Sequence, residues 1–206
     1  MHSDHAGGLV QFVKNLHLYH NHPDYLPQVD VLTLALPAEA IDAVKAFFIA
    51  SYMFPERLSV AVRWLPVAPG LVYEDSDVRV VAHPTSHFDE LKPFLAAHPQ
   101  YASLRGQAFS FEITAAGKRF VYSGDLGAVD DVLETARGVD LLVLEFGHLI
   151  PLDKNLRRLR GLGIGKVILT HIFPDYNSRG DELQRVADAE LPGMVTVARD
   201  GLVMEI

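Results

Sequence analysis

The sequence predicts an α+β fold, with β-sheets covered by helices. Three observations carry this reading. Apolar residues alternate along both arms of "AFSFEITAAGKRFVYSGDL"; short apolar runs such as "VDLLVLEFGH" and "KVILTHIFPDY" sit between helix-length segments; and both hairpin and crossover connections occur. Alternation marks strands with one buried face, continuous runs mark fully buried strands, and the mixture of connections calls for sheets packed against helices.

In chain order, Leu9, Phe12, Val13 and Leu16 have helical spacing, so a helix begins at the glycine pair Gly7 and Gly8 and leaves the residues ahead of it on a loop. "VDVLTLALP" reads as a buried strand. "PAEAIDAVKAFFIASYMF" follows as a helix with Pro37 near its start and Pro55 ending it, giving a parallel strand-helix unit. "RLSVAVRWLPV" and "DVRVVAHPTSHF" are strands that end in proline-marked turns. Residues 88–107, "FDELKPFLAAHPQYASLRGQ", have no clean period and read as an insertion near the mouth of any site. Then come the hairpin turning at Ala-Gly-Lys, a short helix "AVDDVLETARG", the strand "VDLLVLEFGH", a helix "LDKNLRRLRGLG", the strand "KVILTHIFPDY" and a helix "SRGDELQRVADAEL". The closing "MVTVARDGLVMEI" reads as a hairpin turning on Asp200 and Gly201.

The 206 residues, 49% of them hydrophobic, suffice for one sizeable core, so residues 1–206 are expected to form a single domain. No apolar run spans a bilayer and no secretory signal opens the chain, which predicts a soluble, cytoplasmic protein without a membrane partner. Cysteine is absent, so any metal is held by nitrogen and oxygen alone. The net charge of −8 argues against a broad, sequence-independent grip on nucleic-acid backbone.

The opening "MHSDHAGGL" packs His2, Asp4 and His5 into four positions. Alone, this is a polar tag; with more such residues downstream it is a metal-binding loop, because divalent zinc, iron and manganese favour imidazole and carboxylate. Three further segments deliver ligand-type residues where a strand gives way to a loop: His83 and His87, then Asp125, then His171. Such convergence is how a rigid scaffold builds a site. Asp125 has two oxygens to offer two cations, which at about 3.5–4 Å apart share and acidify one water. No Gly-x-Ser-x-Gly elbow, phosphate loop or dinucleotide fingerprint favours another mechanism. His148 is either a proton donor oriented by Glu145 or an ordinary strand-to-helix histidine. His98 reads as an exposed loop residue; His17, His20 and His22 read as surface residues or a substrate lip; Arg157, Arg158 and Arg160 read as a solvated helix face.

In this order, "HSDHAGGL", "YSGDL" and "ILTHI" resemble the metallo-β-lactamase superfamily, whose His-x-His-x-Asp-His motif precedes a separate histidine, a bridging aspartate and a last histidine. The resemblance covers nearly the whole chain. It implies a four-layer αβ/βα sandwich and two Zn2+ sites, with Mn2+ or Fe2+ as alternatives. His2 and His87 fall to the first metal, Asp4, His5 and His171 to the second, and Asp125 to both. Within "AHPTSHF" it favours His87 over His83. It further implies hydrolysis by a hydroxide held between the metals, with Asp4 and Asp125 as catalytic residues; His148 joins them only as the catalytic candidate read from its own position. "YSGD" and "LTH" look closest to the ribonuclease Z-like branch, which cuts phosphodiester bonds in precursor transfer RNA; related branches act on small esters, thioesters and lactones.

The motif calls for a histidine just before Met1 and for strands ahead of it. The expectation is therefore an N-terminal truncation that removes the first strands, leaves the first metal one ligand short with the Met1 amine as a stand-in, and bares apolar surface for a homodimer. The expected function is metal-dependent hydrolysis of RNA or of a small-molecule ester. The alternative is a catalytically impaired metal-binding fragment of such an enzyme.

Overall fold

A computed structural model describes residues 3–20, 22, 24 and 29–206, with the backbone alone for Ser3, Asp4 and Asn177. The chain divides into two compact units: residues 1–68 with 100–107, and residues 69–99 with 108–206.

In the first unit a single helical turn, α1 (Ser3–Ala6), precedes α2 (Leu9–Tyr19). Val13 and Leu16 are the buried residues of α2, while Phe12 on the same stretch stays half exposed. Strand β1 (Val31–Pro37) runs parallel to β2 (Ala61–Val67), with Val31 opposite Ala61. A parallel pair needs a crossover, and α3 (Ile41–Ala50) supplies it, entered through a short 3-10 turn that begins right after Pro37. Val13, Leu34, Phe48 and Met53 form this unit's core, and Trp64 meets Phe48 edge-on with ring centroids 5.3 Å apart. His17 is tied into the unit: its Nδ1 accepts from the Ser59 backbone N–H at 3.0 Å.

The second unit holds β3 (Gly70–Glu74), β4 (Val78–Pro84), α4 (Lys92–Ala97), β5 (Phe109–Ala115), β6 (Lys118–Tyr122), β7 (Leu141–Glu145), α5 (Leu152–Arg157), β8 (Lys166–Thr170), α6 (Pro174–Asn177), α7 (Gly180–Glu190) and β9 (Val195–Val197). Its seven strands form one sheet in simple sequence order, β3 to β9. Pairing is antiparallel from β3 to β6 and parallel from β6 to β9. Strand β4 is separated from β6 by two antiparallel steps and so shares its direction. The chain therefore leaves β4, β6, β7 and β8 at the same end of the sheet, and this is what gathers the site.

The turn between β5 and β6 is Ala116-Gly117, with φ of 50° and 74°. Two positive φ values in a two-residue turn match the twist of a hairpin, and glycine takes the second at no steric cost. Leu142, Leu144, Val167 and Leu169 have no exposed surface and pack with Leu156 of α5 and Leu183 and Ala187 of α7. Each such aliphatic side chain contributes about 1.5–3 kcal/mol on burial.

Several expectations are corrected. Residues 128–138 do not form an α-helix; Val129–Val132 make a 3-10 turn and looser turns follow. Val129 and Val132 still bury their side chains, but two adjacent aspartates and Gly138 leave too few residues to propagate a helix. Strand β9 pairs in parallel with β8, and among the described residues 202–206 form no returning strand, so the Asp200-Gly201 turn does not close a hairpin. Strand β3 was not expected. The stretch after His87 carries α4 and flanking 3-10 turns rather than plain loop, and the His98 ring bonds the Phe94 carbonyl at 2.7 Å to close α4. Arg157, Arg158 and Arg160 are exposed, as expected of a solvated face, and Arg157 and Arg160 also converge on the Glu190 carboxylate at 2.8 and 2.7 Å, joining the α5 segment to the end of α7. Among the described residues no helix is long and apolar enough to cross a membrane.

Candidate metal centre

The loops that leave β4, β6, β7 and β8 bring His87, Asp125, Glu145, His148 and His171 together, all within the second unit. Asp125 follows β6, with a side chain only 8% exposed, and it presents its two oxygens to different histidines. Oδ2 lies 3.6 Å from His87 Nε2, and Oδ1 lies 3.5 Å from His171 Nδ1. Glu145, the last residue of β7, is buried; its Oε1 accepts from the Leu126 N–H at 3.2 Å and its Oε2 from the His148 N–H at 2.9 Å. Its Oε1 also lies 3.1 Å from His148 Nδ1, and its Oε2 lies 3.6 Å from His171 Nδ1.

Aromatic packing holds the imidazoles close. The His87 and His148 ring centroids are 4.7 Å apart, those of His148 and His171 5.5 Å, and Phe173 meets both His148 and His171 at 5.9 Å. His171 stands in the left-handed region with φ of 54°, directly after β8. Histidine tolerates that region better than most residues, yet the conformation carries a cost of order 1–3 kcal/mol and is typical of functional positions. Gly147 permits the crowding: a Cβ there would lie 3.0 Å from the Phe173 ring and 3.1 Å from His171 Nδ1. Beside the cluster, Tyr122 has its phenol pushed above the ordinary range, by burial first and then by the charges of Asp125 and Glu145.

These residues fit a divalent cation. Ligand-type atoms of His87, Asp125 and His148 lie within 4.8 Å of one another, and so do those of Glu145, His148 and His171. Imidazole and carboxylate in such proximity are the donors that zinc, manganese and iron take, with no sulfur required.

His2 and the side chain of Asp4 lie outside the described residues, and His5 is exposed on α1 of the first unit. His83, within β4, turns to Glu112 of β5, with Nε2 and Oε2 3.4 Å apart. Sequence reasoning missed the groups that brace the site: Thr85, Ser86 and Asp131. Each is a small polar residue in a loop whose partner is distant in the sequence, and no local spacing marks it.

A mixed sheet whose co-directed strands end in clustered histidines and carboxylates defines an α/β fold with a candidate metal centre. Residues 1–172 match the family described as Beta-lactamase superfamily domain, and the chain belongs to that family. An uncharacterized protein of Mycobacterium leprae is 32% identical over 127 residues, which are 56% of this chain and 42% of that protein. One of Mycobacterium tuberculosis is 33% identical over 115 residues, 50% of this chain and 39% of its own length. The match thus spans about two fifths of the curated relatives. Among solved structures, the metallo-beta-lactamase fold protein YhfI of Bacillus subtilis aligns with a TM-score of 0.64 at 16% identity, over 99% of this chain and 74% of its own. The short form of human tRNase Z aligns with a TM-score of 0.61 at 16% identity, over 97% of this chain and 73% of its own. The metallo-β-lactamase fold is therefore shared.

Proposed function

We propose that this chain is a metal-dependent hydrolase of phosphodiester or ester bonds. The observation that carries the reading is the placement of Asp125 after β6, whose two oxygens face His87 after β4 and His171 after β8, each one strand removed. A carboxylate so flanked suits a bridge between two cations, with Zn2+ first and Mn2+ or Fe2+ as alternatives. The chemistry supplied by cations bound there is Lewis acidity towards the scissile group and its attacking water.

The chain's own residues supply the rest. Glu145 fixes the His148 ring through Nδ1 and the neighbouring backbone N–H, which leaves the other ring nitrogen to hold a proton and pass it to the leaving oxygen. The motif order of the sequence adds His2, Asp4 and His5 as further ligands, with Asp4 orienting the nucleophile. The phosphodiester version draws on the ribonuclease Z-like motifs and on fold neighbours that include tRNase Z and yeast PDE1, the latter at a TM-score of 0.60. On this reading the substrate is RNA or a small-molecule ester, and the protein acts in the cytoplasm.

The test is hydrolysis of a generic phosphodiester and a generic carboxylic ester by metal-stripped protein resupplied with Zn2+ or Mn2+. Metal-restored turnover lost in Asp125→Ala is the expected result. Tight metal uptake with no turnover on either substrate would leave a binding fragment and overturn the enzyme.

A further inference from the structure

We propose that Asp131 is a positioning residue that clamps the His87 loop to the Asp125 loop and so presets the spacing of the metal ligands. The inference rests on the metal-centre reading above and adds a residue that lies in neither ligand group. A single oxygen, Asp131 Oδ2, accepts four hydrogen bonds: from the Ser86 backbone N–H at 3.0 Å, the Ser86 hydroxyl at 2.9 Å, the Gly127 N–H at 3.1 Å and the Ala128 N–H at 3.3 Å. Ser86 immediately precedes His87, and Gly127 lies two residues beyond Asp125. A second tie joins the same two loops, from the Thr85 hydroxyl to the Asp125 carbonyl at 3.0 Å. The two backbones approach so closely that a Cβ on Gly127 would stand 2.7 Å from the Ser86 carbonyl oxygen.

The clamp has a rigid base. Asp131 sits in the 3-10 turn whose flanking Val129 and Val132 are 2% and 0% exposed in the main core. Hydrogen bonds to an ionised carboxylate are stronger than neutral ones, so one side chain anchored in the core fixes two loops that would otherwise drift relative to each other. Ligands held in register bind a cation without first paying the entropy of ordering those loops.

The test is titration of metal-stripped protein with Co2+ alone, read by calorimetry and by the visible ligand-field spectrum. Asp131→Ala is expected to weaken Co2+ binding by about 10–100-fold and to alter the spectrum, as loss of a group that orients ligands does. Asp131→Asn, whose amide oxygen can replace Oδ2, is expected to retain most of the affinity. If Asp131→Ala fails to fold, Ser86→Ala carries the test, with several-fold weaker binding expected. A merely structural role would lower the melting temperature of the metal-free variants while folded protein bound Co2+ with wild-type affinity and spectrum; that result, or wild-type binding by Ser86→Ala, overturns the clamp alone. If the wild type takes up no Co2+, the metal-centre reading falls and the clamp falls with it.

Discussion

His171 Nδ1 stands 3.5 Å from Asp125 Oδ1, although the two residues follow strands on either side of β7. The other oxygen of the same carboxylate faces His87, so Asp125 is the shared member of the cluster. Asp125→Ala is therefore expected to lower bound metal further than either His87→Ala or His171→Ala alone. Elemental analysis of the three variants after dialysis checks this, and equal losses in all three would remove the bridging role.

His148 belongs to two candidate ligand groups, yet its bond to Glu145 suits a proton carrier. His148→Ala is expected to reduce kcat by about 10²–10⁴-fold while leaving metal content near that of the wild type. A loss of metal in proportion to the loss of turnover would make it a ligand instead.

Glu145 has a structural share as well. Glu145→Ala leaves the N–H groups of Leu126 and His148 without their acceptor, and an unsatisfied buried donor costs about 1–3 kcal/mol. Denaturant unfolding of metal-free protein is expected to show that loss, which separates it from any effect on turnover.

Glu190 gives a pH signature far from the site. The hydrogen bond from Arg157 holds its carboxyl below the ordinary value of 4.5, against a smaller opposing effect of burial. A depressed carboxyl contributes stability that is fully present above its unfolded pKa and is lost as pH falls through the folded one. The stability gap between wild type and Glu190→Gln is thus expected to be constant near neutrality and to close as pH drops below about 4.5. A gap that widened in acid would contradict the pairing.

In the core, Leu169→Ala removes a side chain with no exposed surface and is expected to cost about 2–5 kcal/mol. Gly124→Ala is expected to be at least as disruptive to the site loop: its φ is +56° and the new Cβ would lie 2.6 Å from the Phe109 carbonyl oxygen. Thermal unfolding of both variants provides the comparison.

The strands that position the site were legible because each ends an apolar run in a polar residue of ligand type, as in "VYSGD" and "ILTH". Strand β3 was not, since a short edge strand with mostly exposed residues shows no alternation. The helix expected over 128–138 failed where local propensity gave way to tertiary demand: Asp131 turns its carboxylate to Ser86 instead of the solvent face of a helix. No sequence pattern foretells that partnership, because the two residues meet only once β4 and β6 are aligned.

The left-handed backbone at His171 also bears on redesign. On the proposed metal-centre reading, retuning ion preference there with glutamate or cysteine would install a side chain poorly tolerant of that twist, whereas asparagine and aspartate accept it. Engineers seeking a different cation would do better to vary His87, leaving the twisted position with its native imidazole.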